Sequence, residues 1–280
     1  MGQRRTMPTL PQPTKLTLEK ELKVPVKKRK QDLSFKIKKV GIFGYGEVGK
    51  AVHGLYRKRK KYKVFLKDLD RNEFPKDLDL LHVCIPYNQD FIELVTQNIH
   101  DHAKDALVMI HSTVAVGTTK KIAEHYKFTV HSPVRGVHPN LLKGLKTFIK
   151  YVGSEDAGAG RISTEHLEDL GVQAMAVYKS GTTELLKLLD TTYYGLAIAF
   201  HDYAAKLCEQ LGLNFDVVMT HANNSYNAGY YQLGKPEVLR PILYPPEGPI
   251  GGHCVVPNAK ILKEIFGEHP LIKAILDLSK

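Results

Sequence analysis

Val40-Gly41-Ile42-Phe43 runs without a break into Gly44-Tyr45-Gly46-Glu47-Val48-Gly49, and Lys50-Ala51-Val52 then opens a helical stretch. An apolar strand, three glycines at this spacing and a helix leave few folds open. Gly44 permits a tight turn, Gly46 lets phosphate groups approach the backbone and the helix N-terminus, and Gly49 lets helix and strand pack closely. A second strand-like run from Lys63 to Leu66 leads to Asp68, nineteen residues beyond Gly49. A carboxylate there accepts hydrogen bonds from an adenosine ribose and repels a 2′-phosphate, so these residues predict a dinucleotide site that takes NAD rather than NADP. Lys67 and Arg71 beside it work against that preference. Glycines that merely shape a turn are the competing explanation, and the flanking strand, helix and acid argue against it.

From Lys39 onward, apolar runs alternate with helical stretches: Val40 to Phe43, Val64 to Leu66, Leu80 to Ile85, Ala106 to Ile110 and Phe128 to His131. This rhythm predicts an α/β fold, a Rossmann-type doubly wound parallel sheet over residues 37–180. After Gly181 the pattern changes. Thr182 to Leu211 reads as one long helix with Thr182 or Thr183 as N-cap, followed by a short helix around Phe215 to Asn223, a Pro/Gly-rich stretch from Pro236 to Gly252, and a last helix from about Asn258. Residues 181–280 therefore predict an all-helical domain. At 280 residues the chain has room for both.

The formal charge of +11 invites a nucleic-acid or anionic-membrane partner, but its distribution does not. Residues 1–40 alone net +9 and residues 41–63 net +6, so residues 64–280 are slightly acidic. Residues 1–36 read as a basic, poorly ordered extension. Within it, Met1-Gly2-Gln3-Arg4-Arg5-Thr6 fits a myristoylation pattern and Val26-Lys27-Lys28-Arg29-Lys30 a nuclear-import or polyanion cluster, but both are short patterns that arise often by chance, and a solvated basic tail is the favoured explanation. Nucleic acid is not expected except through that tail. Cys84, Cys208 and Cys254 lie far apart with no CxxC spacing, and no apolar run reaches the ~18 residues of a membrane span. The expectation is a soluble, cytoplasmic protein with no metal site.

Three further motifs carry a family resemblance. His111-Ser112-Thr113-Val114-Ala115-Val116-Gly117-Thr118-Thr119 resembles the STVPVGTT segment of the UDP-glucose and GDP-mannose (nucleotide-sugar) 6-dehydrogenases. Glu184-Leu185-Leu186-Lys187 is similar to that family's ELxK motif, and Gly248-Pro249-Ile250-Gly251-Gly252-His253-Cys254 to its GPGxGGHC nucleophile loop. The resemblance covers about residues 38–280, without the family's C-terminal nucleotide-binding domain. It implies two-step oxidation of a primary alcohol to an acid with NAD, Cys254 forming a thiohemiacetal and then a thioester. Lys187 would hold the oxyanion, assisted by Thr191 where the family has asparagine. The cofactor would meet Gly44, Tyr45, Gly46, Glu47, Val48, Gly49, Asp68, Ile85, Pro86, Ser112 and Thr113. Arg135, His138, Gly251, Gly252 and His253 would meet a sugar or nucleotide-sugar substrate, and the long helix would pack between subunits of a homodimer.

Two departures bear on mechanism. Val134 stands where the family has a glutamate that helps water attack the thioester, and Asn258 where it has an aspartate. The first oxidation is thus better supported than the hydrolysis. Either the substrate is smaller than a nucleotide sugar or a partner subunit holds its nucleotide. Two other readings stay open: a two-electron hydroxyacid-type dehydrogenase, which also uses a helix lysine but needs no cysteine, and a catalytically silent NAD-binding scaffold with a polyanion-binding tail. Cys84 and Cys208 are expected to be small buried hydrophobes.

Overall fold

The computed structural model describes residues 36–249 and 254–279. Gly251, Gly252 and His253, and the patterns assigned to the basic extension, lie outside the described residues. The chain divides into two units. One runs to Ser112 and resumes over Thr119–Thr183; the other comprises Thr113–Thr118 and Glu184–Lys280.

The first unit is built on an eight-stranded sheet of order β3-β2-β1-β4-β5-β6-β7-β8. Its strands are β1 (Lys39–Phe43), β2 (Lys63–Asp68), β3 (Arg71–Asn72), β4 (Leu80–Val83), β5 (Leu107–Ile110), β6 (Thr129–His131), β7 (Lys150–Ser154) and β8 (Ala174–Tyr178). The helices are α1 (Glu47–Tyr56), α2 (Phe91–His102), α3 (Thr118–Ala123), α4 (Leu141–Thr147) and α5 (Ala157–Asp169). β4 and β5 are buried at every residue, as continuous apolar runs must be when both sheet faces are covered. Ala51, Val52 and Leu55 of α1 and Ala159, Ile162 and Leu167 of α5 join this core.

The sheet departs from the all-parallel expectation in two places. β3 is antiparallel to β2, and β7 is antiparallel to β6, with β8 then parallel to β7. β7 and β8 were not foreseen as strands. β7 begins with Lys150, a buried cation whose Nζ donates to the Ser132 and Pro133 carbonyl oxygens at 2.7 and 3.0 Å.

A polar chain crosses this core. The His111 ring donates through Nδ1 to the Ser132 carbonyl oxygen (2.8 Å), so its Nε2 must accept from His82 Nδ1 (2.8 Å). His82 Nε2 then accepts from the Tyr56 hydroxyl (2.6 Å), whose oxygen accepts from His166 Nε2 (2.7 Å). One carbonyl thereby fixes the tautomers of three histidines, all of them neutral. Burial holds His82 and His111 far below the ordinary histidine range, and holds His166 at about 4.

In the second unit, α6 (Ser180–Leu211) leads through a π-helical turn (Asp216–His221) into α7 (Ala222–Gln232) and a 3₁₀ turn (Pro236–Val238). α8 (Val255–Phe266) and α9 (Pro270–Asp277) complete it. α6 starts ahead of the expected caps. Thr182 and Thr183 donate back to the Tyr178 and Ser180 carbonyls, while the Glu155 carboxylate, from the loop after β7, accepts from the Ser180 amide and hydroxyl at 3.1 and 2.9 Å. The last helical stretch is two helices, and its first begins at Val255 rather than Asn258. Pro257 falls in the opening turn, where a missing N–H costs nothing.

Leu188, Thr192, Ala199, Ala204 and Cys208 form the inner face of α6. Gly195 is on that face for steric reasons: a Cβ there would lie 2.5 Å from Val255 Cγ1 and 3.2 Å from Ile275 Cδ1. The glycine lets α8 and α9 reach the helix backbone. No described helix is long and apolar enough to cross a membrane, and no described group of His, Cys, Asp and Glu is arranged to hold a metal ion.

Candidate active site

The glycine loop has the geometry that a dinucleotide needs. Gly44 takes φ +93°, and a Cβ on it would lie 2.8 Å from the Cys84 backbone. A Cβ on Gly49 would lie 2.0 Å from the Gly44 carbonyl oxygen, so loop and helix touch only because both are glycines. Gly46 faces open space and opens α1 with no side-chain cap, leaving the first-turn N–H groups available to an anion. Asp68, at the end of β2, accepts from the Tyr45 amide at 2.6 Å through Oδ2 and from the Leu69 amide at 2.8 Å through Oδ1. Each oxygen keeps a further lone pair for a hydroxyl.

The remaining residues expected around the cofactor have varied roles. The Tyr45 hydroxyl meets His53 Nδ1 at 2.8 Å, and Tyr45 and Val48 pack on the core. Glu47, in the first turn of α1, pairs with His138. The Ser112 hydroxyl donates to the Ile85 carbonyl oxygen at 2.6 Å, tying the ends of the β4 and β5 strands together beside Pro86. Arg135 is held within its own unit: it donates to the Ile149 carbonyl oxygen at 2.9 Å and lies over the rings of Phe148 and Tyr151. Val134 is part of the hydrophobic core.

In the second unit, two of the sequence motifs meet. Gly117 takes φ +95°, and its amide donates at 2.7 Å to the carboxylate of Glu184, which has no exposed surface. The Thr113–Thr118 segment is thereby fastened to the turn of α6 that carries Lys187. One turn on, the Thr191 hydroxyl donates to the Lys187 and Leu188 carbonyl oxygens (3.0 and 3.1 Å), and its oxygen accepts from Asn258 Nδ2 at 2.6 Å. Asn258 is in turn bonded through its backbone amide to the Cys254 carbonyl oxygen at 3.1 Å, closing the first turn of α8. The lysine-bearing and cysteine-bearing turns are thus joined through Thr191 and Asn258. This link could not be read from spacing, since 67 residues separate its two ends. Gly195 was also missed, although a glycine in the middle of a 32-residue helix is itself a signal of close approach. The other cysteines have no such setting: Cys208 is buried, and burial pushes the Cys84 thiol up to about 12.

A dinucleotide-type glycine loop on a mixed sheet is thus followed in the chain by a helical unit that carries Lys187 and Cys254. Residues 181–279 match the UDP-glucose/GDP-mannose dehydrogenase family, central domain. A UDP-N-acetyl-D-mannosamine dehydrogenase of Methanococcus maripaludis is 25% identical over 229 residues, covering 76% of this chain and 51% of that protein. The chain therefore spans about half the length of such relatives. Among solved structures, a UDP-D-ManNAc dehydrogenase from Pyrococcus horikoshii superimposes with a TM-score of 0.65 at 19% identity, over 86% of this chain and 68% of that one. A 3-hydroxyisobutyrate dehydrogenase of Mycobacterium tuberculosis gives 0.64 at 14% identity, over 86% of this chain and 92% of its own. These likenesses show the Rossmann-type fold.

Proposed function

We propose that this chain is an NAD-dependent oxidoreductase that oxidises the primary alcohol of a nucleotide sugar through a thiohemiacetal on Cys254. The observation that best supports this is the Thr191–Asn258 hydrogen bond, which joins the turn carrying Lys187 to the turn opened by Cys254. The open N-terminus of α1, the close packing of Gly44 and Gly49, and Asp68 beside the loop fit NAD. NAD, when bound, takes up a hydride from the carbinol carbon at each oxidation.

Lys187 holds the negative charge of the substrate oxygen as the first hydride leaves. The Cys254 thiolate then adds to the aldehyde carbon, forming a C–S bond, and the oxyanion takes a proton to give the thiohemiacetal. Loss of the second hydride from that carbon, with the hydroxyl proton passing to solvent, leaves a thioester. Water cleaves the C–S bond, releasing the acid and returning the thiol. Val134 lies in the core and Asn258 is an amide, so neither supplies a carboxylate for that last step. We therefore assign the slow step to hydrolysis.

The curated relative's name makes UDP-N-acetyl-D-mannosamine the first substrate to test, in a panel with UDP-N-acetylglucosamine, UDP-glucose and GDP-mannose. NADH absorbance should rise with at least one of them and depend on NAD rather than NADP. Asp68→Asn should weaken NAD roughly tenfold and narrow the gap to NADP, because the ribose hydroxyls lose a charged acceptor. No turnover with any member, together with no NAD binding by calorimetry, would sink the reading.

We further propose a cytoplasmic homodimer. Leu189, Tyr193, Phe200, Tyr203, Leu207 and Leu211 recur at helical spacing along α6 and are all exposed, a continuous apolar face of the kind that marks a protein interface. Sedimentation at micromolar concentration should give twice the chain mass, and a monomer would contradict the dimer.

A further inference from the structure

Asn258 is only 3% exposed, yet its side chain makes a single hydrogen bond among the described residues, Nδ2 to Thr191 Oγ1 at 2.6 Å. Chemistry fixes its orientation. The one hydroxyl hydrogen of Thr191 goes to the carbonyls of Lys187 and Leu188, so the hydroxyl oxygen accepts and Asn258 must turn its NH₂ toward it. The backbone amide of the same residue bonds to Cys254, and Val255, next to the cysteine, packs where Gly195 leaves room on α6. Two contacts therefore hold the first turn of α8 on α6, and one of them is polar and buried.

We infer that Asn258 is a positioning residue for Cys254: it clasps the first turn of α8 to the Lys187 turn of α6 through an uncharged hydrogen bond, leaving the thiolate with no carboxylate one helical turn away. The inference rests on Cys254 being the nucleophile proposed above. An aspartate at this position could still accept a hydrogen bond from a re-aimed Thr191 hydroxyl. It would, however, put a full negative charge about 6 Å from the cysteine, on the neighbouring turn of the same helix face, and a like charge there disfavours the thiolate. An amide provides the clasp without the charge.

The test uses the full chain and needs no substrate. Alkylation of Cys254 by iodoacetamide is followed by mass spectrometry of its own peptide across pH 6 to 10, at low salt and in 1 M NaCl, with deuterium exchange read over residues 255–259. Asn258→Asp should slow alkylation roughly tenfold at pH 7.5 and move the profile up by about one pH unit. Because position 258 is buried, 1 M NaCl should leave most of that deficit in place. Thr191→Val, which keeps the shape and removes the acceptor, should speed exchange in the first turn of α8 while leaving the alkylation profile in place on the pH axis. If Asn258→Asp does not fold, Asn258→Gln takes its place and must keep the wild-type pH profile. An unmoved profile in Asn258→Asp, or one restored by 1 M NaCl, a moved one in Asn258→Gln, or unchanged exchange in Thr191→Val overturns the inference. Absence of NADH formation with these readouts as expected counts against the proposed activity alone.

Discussion

Acidifying from pH 7 to pH 4 is expected to destabilise the first unit through His82, His111 and His166, with His166 alone removing about 3 kcal/mol. Each is neutral in the folded chain because burial outweighs every other influence on it; Lys150 adds to this for His82 and His111, and Lys61 opposes Asp169 at His166. In the unfolded chain each takes a proton near pH 6.5. The unfolded state therefore binds more protons below that pH, and stability falls as pH falls, by about 1.4 kcal/mol per unit for each histidine. The contribution is fully present above 6.5. For His166, folded value about 4, it is exhausted near pH 4 at a loss of about 3 kcal/mol; His82 and His111 lose stability in the same direction.

The His166 share alone is a large part of the ~5–15 kcal/mol that holds a typical domain together, so stability should fall steadily as pH drops below 6.5. Urea melts at half-unit pH steps measure the slope. His166→Gln should flatten it by about 1.4 kcal/mol per pH unit, and His82→Leu should cost about 3 kcal/mol at neutral pH by leaving the Tyr56 hydroxyl proton without an acceptor and His111 Nε2 without a donor. Stability that stays level from pH 7 to 4.5 would contradict the neutral chain.

Replacing Cys254 with serine is expected to cut acid formation roughly a thousandfold, the scale on which loss of a covalent nucleophile acts. The first hydride transfer does not use the sulfur, so NADH formation should persist at a low, reversible level and aldehyde should accumulate. Cys84→Ser and Cys208→Ser touch no expected chemistry, and acid formation should stay near the wild-type rate in both. Unchanged acid formation in Cys254→Ser would remove the thioester route.

Much of the cofactor region was legible because its determinants are local. Three glycines, one strand, one helix and Asp68 fall within thirty residues, and each glycine has a steric reason that can be stated before any coordinates exist. β7 was not legible for the opposite reason. Its first residue is a lysine, normally a mark of solvent, and the Ser132 and Pro133 carbonyls, distant in sequence, help to make Lys150 tolerable inside. The start of α6 was misplaced because its cap, Glu155, comes from another element. α8 starts three residues before the expected Asn258, with Pro257 in its first turn, which accepts proline. At the site, motifs named Lys187 and Cys254, but the Thr191–Asn258 bond that joins their turns is a product of packing.

The most direct test of the central claim is the ratio of NADH formed to sugar consumed, measured on the same reaction by absorbance and by mass spectrometry of the product. The account predicts two NADH per sugar and a carboxylate product in the wild-type chain, falling to at most one NADH and an aldehyde in Cys254→Ser. One NADH per sugar with no carboxylate in the wild-type chain would contradict it and mark a two-electron dehydrogenase instead.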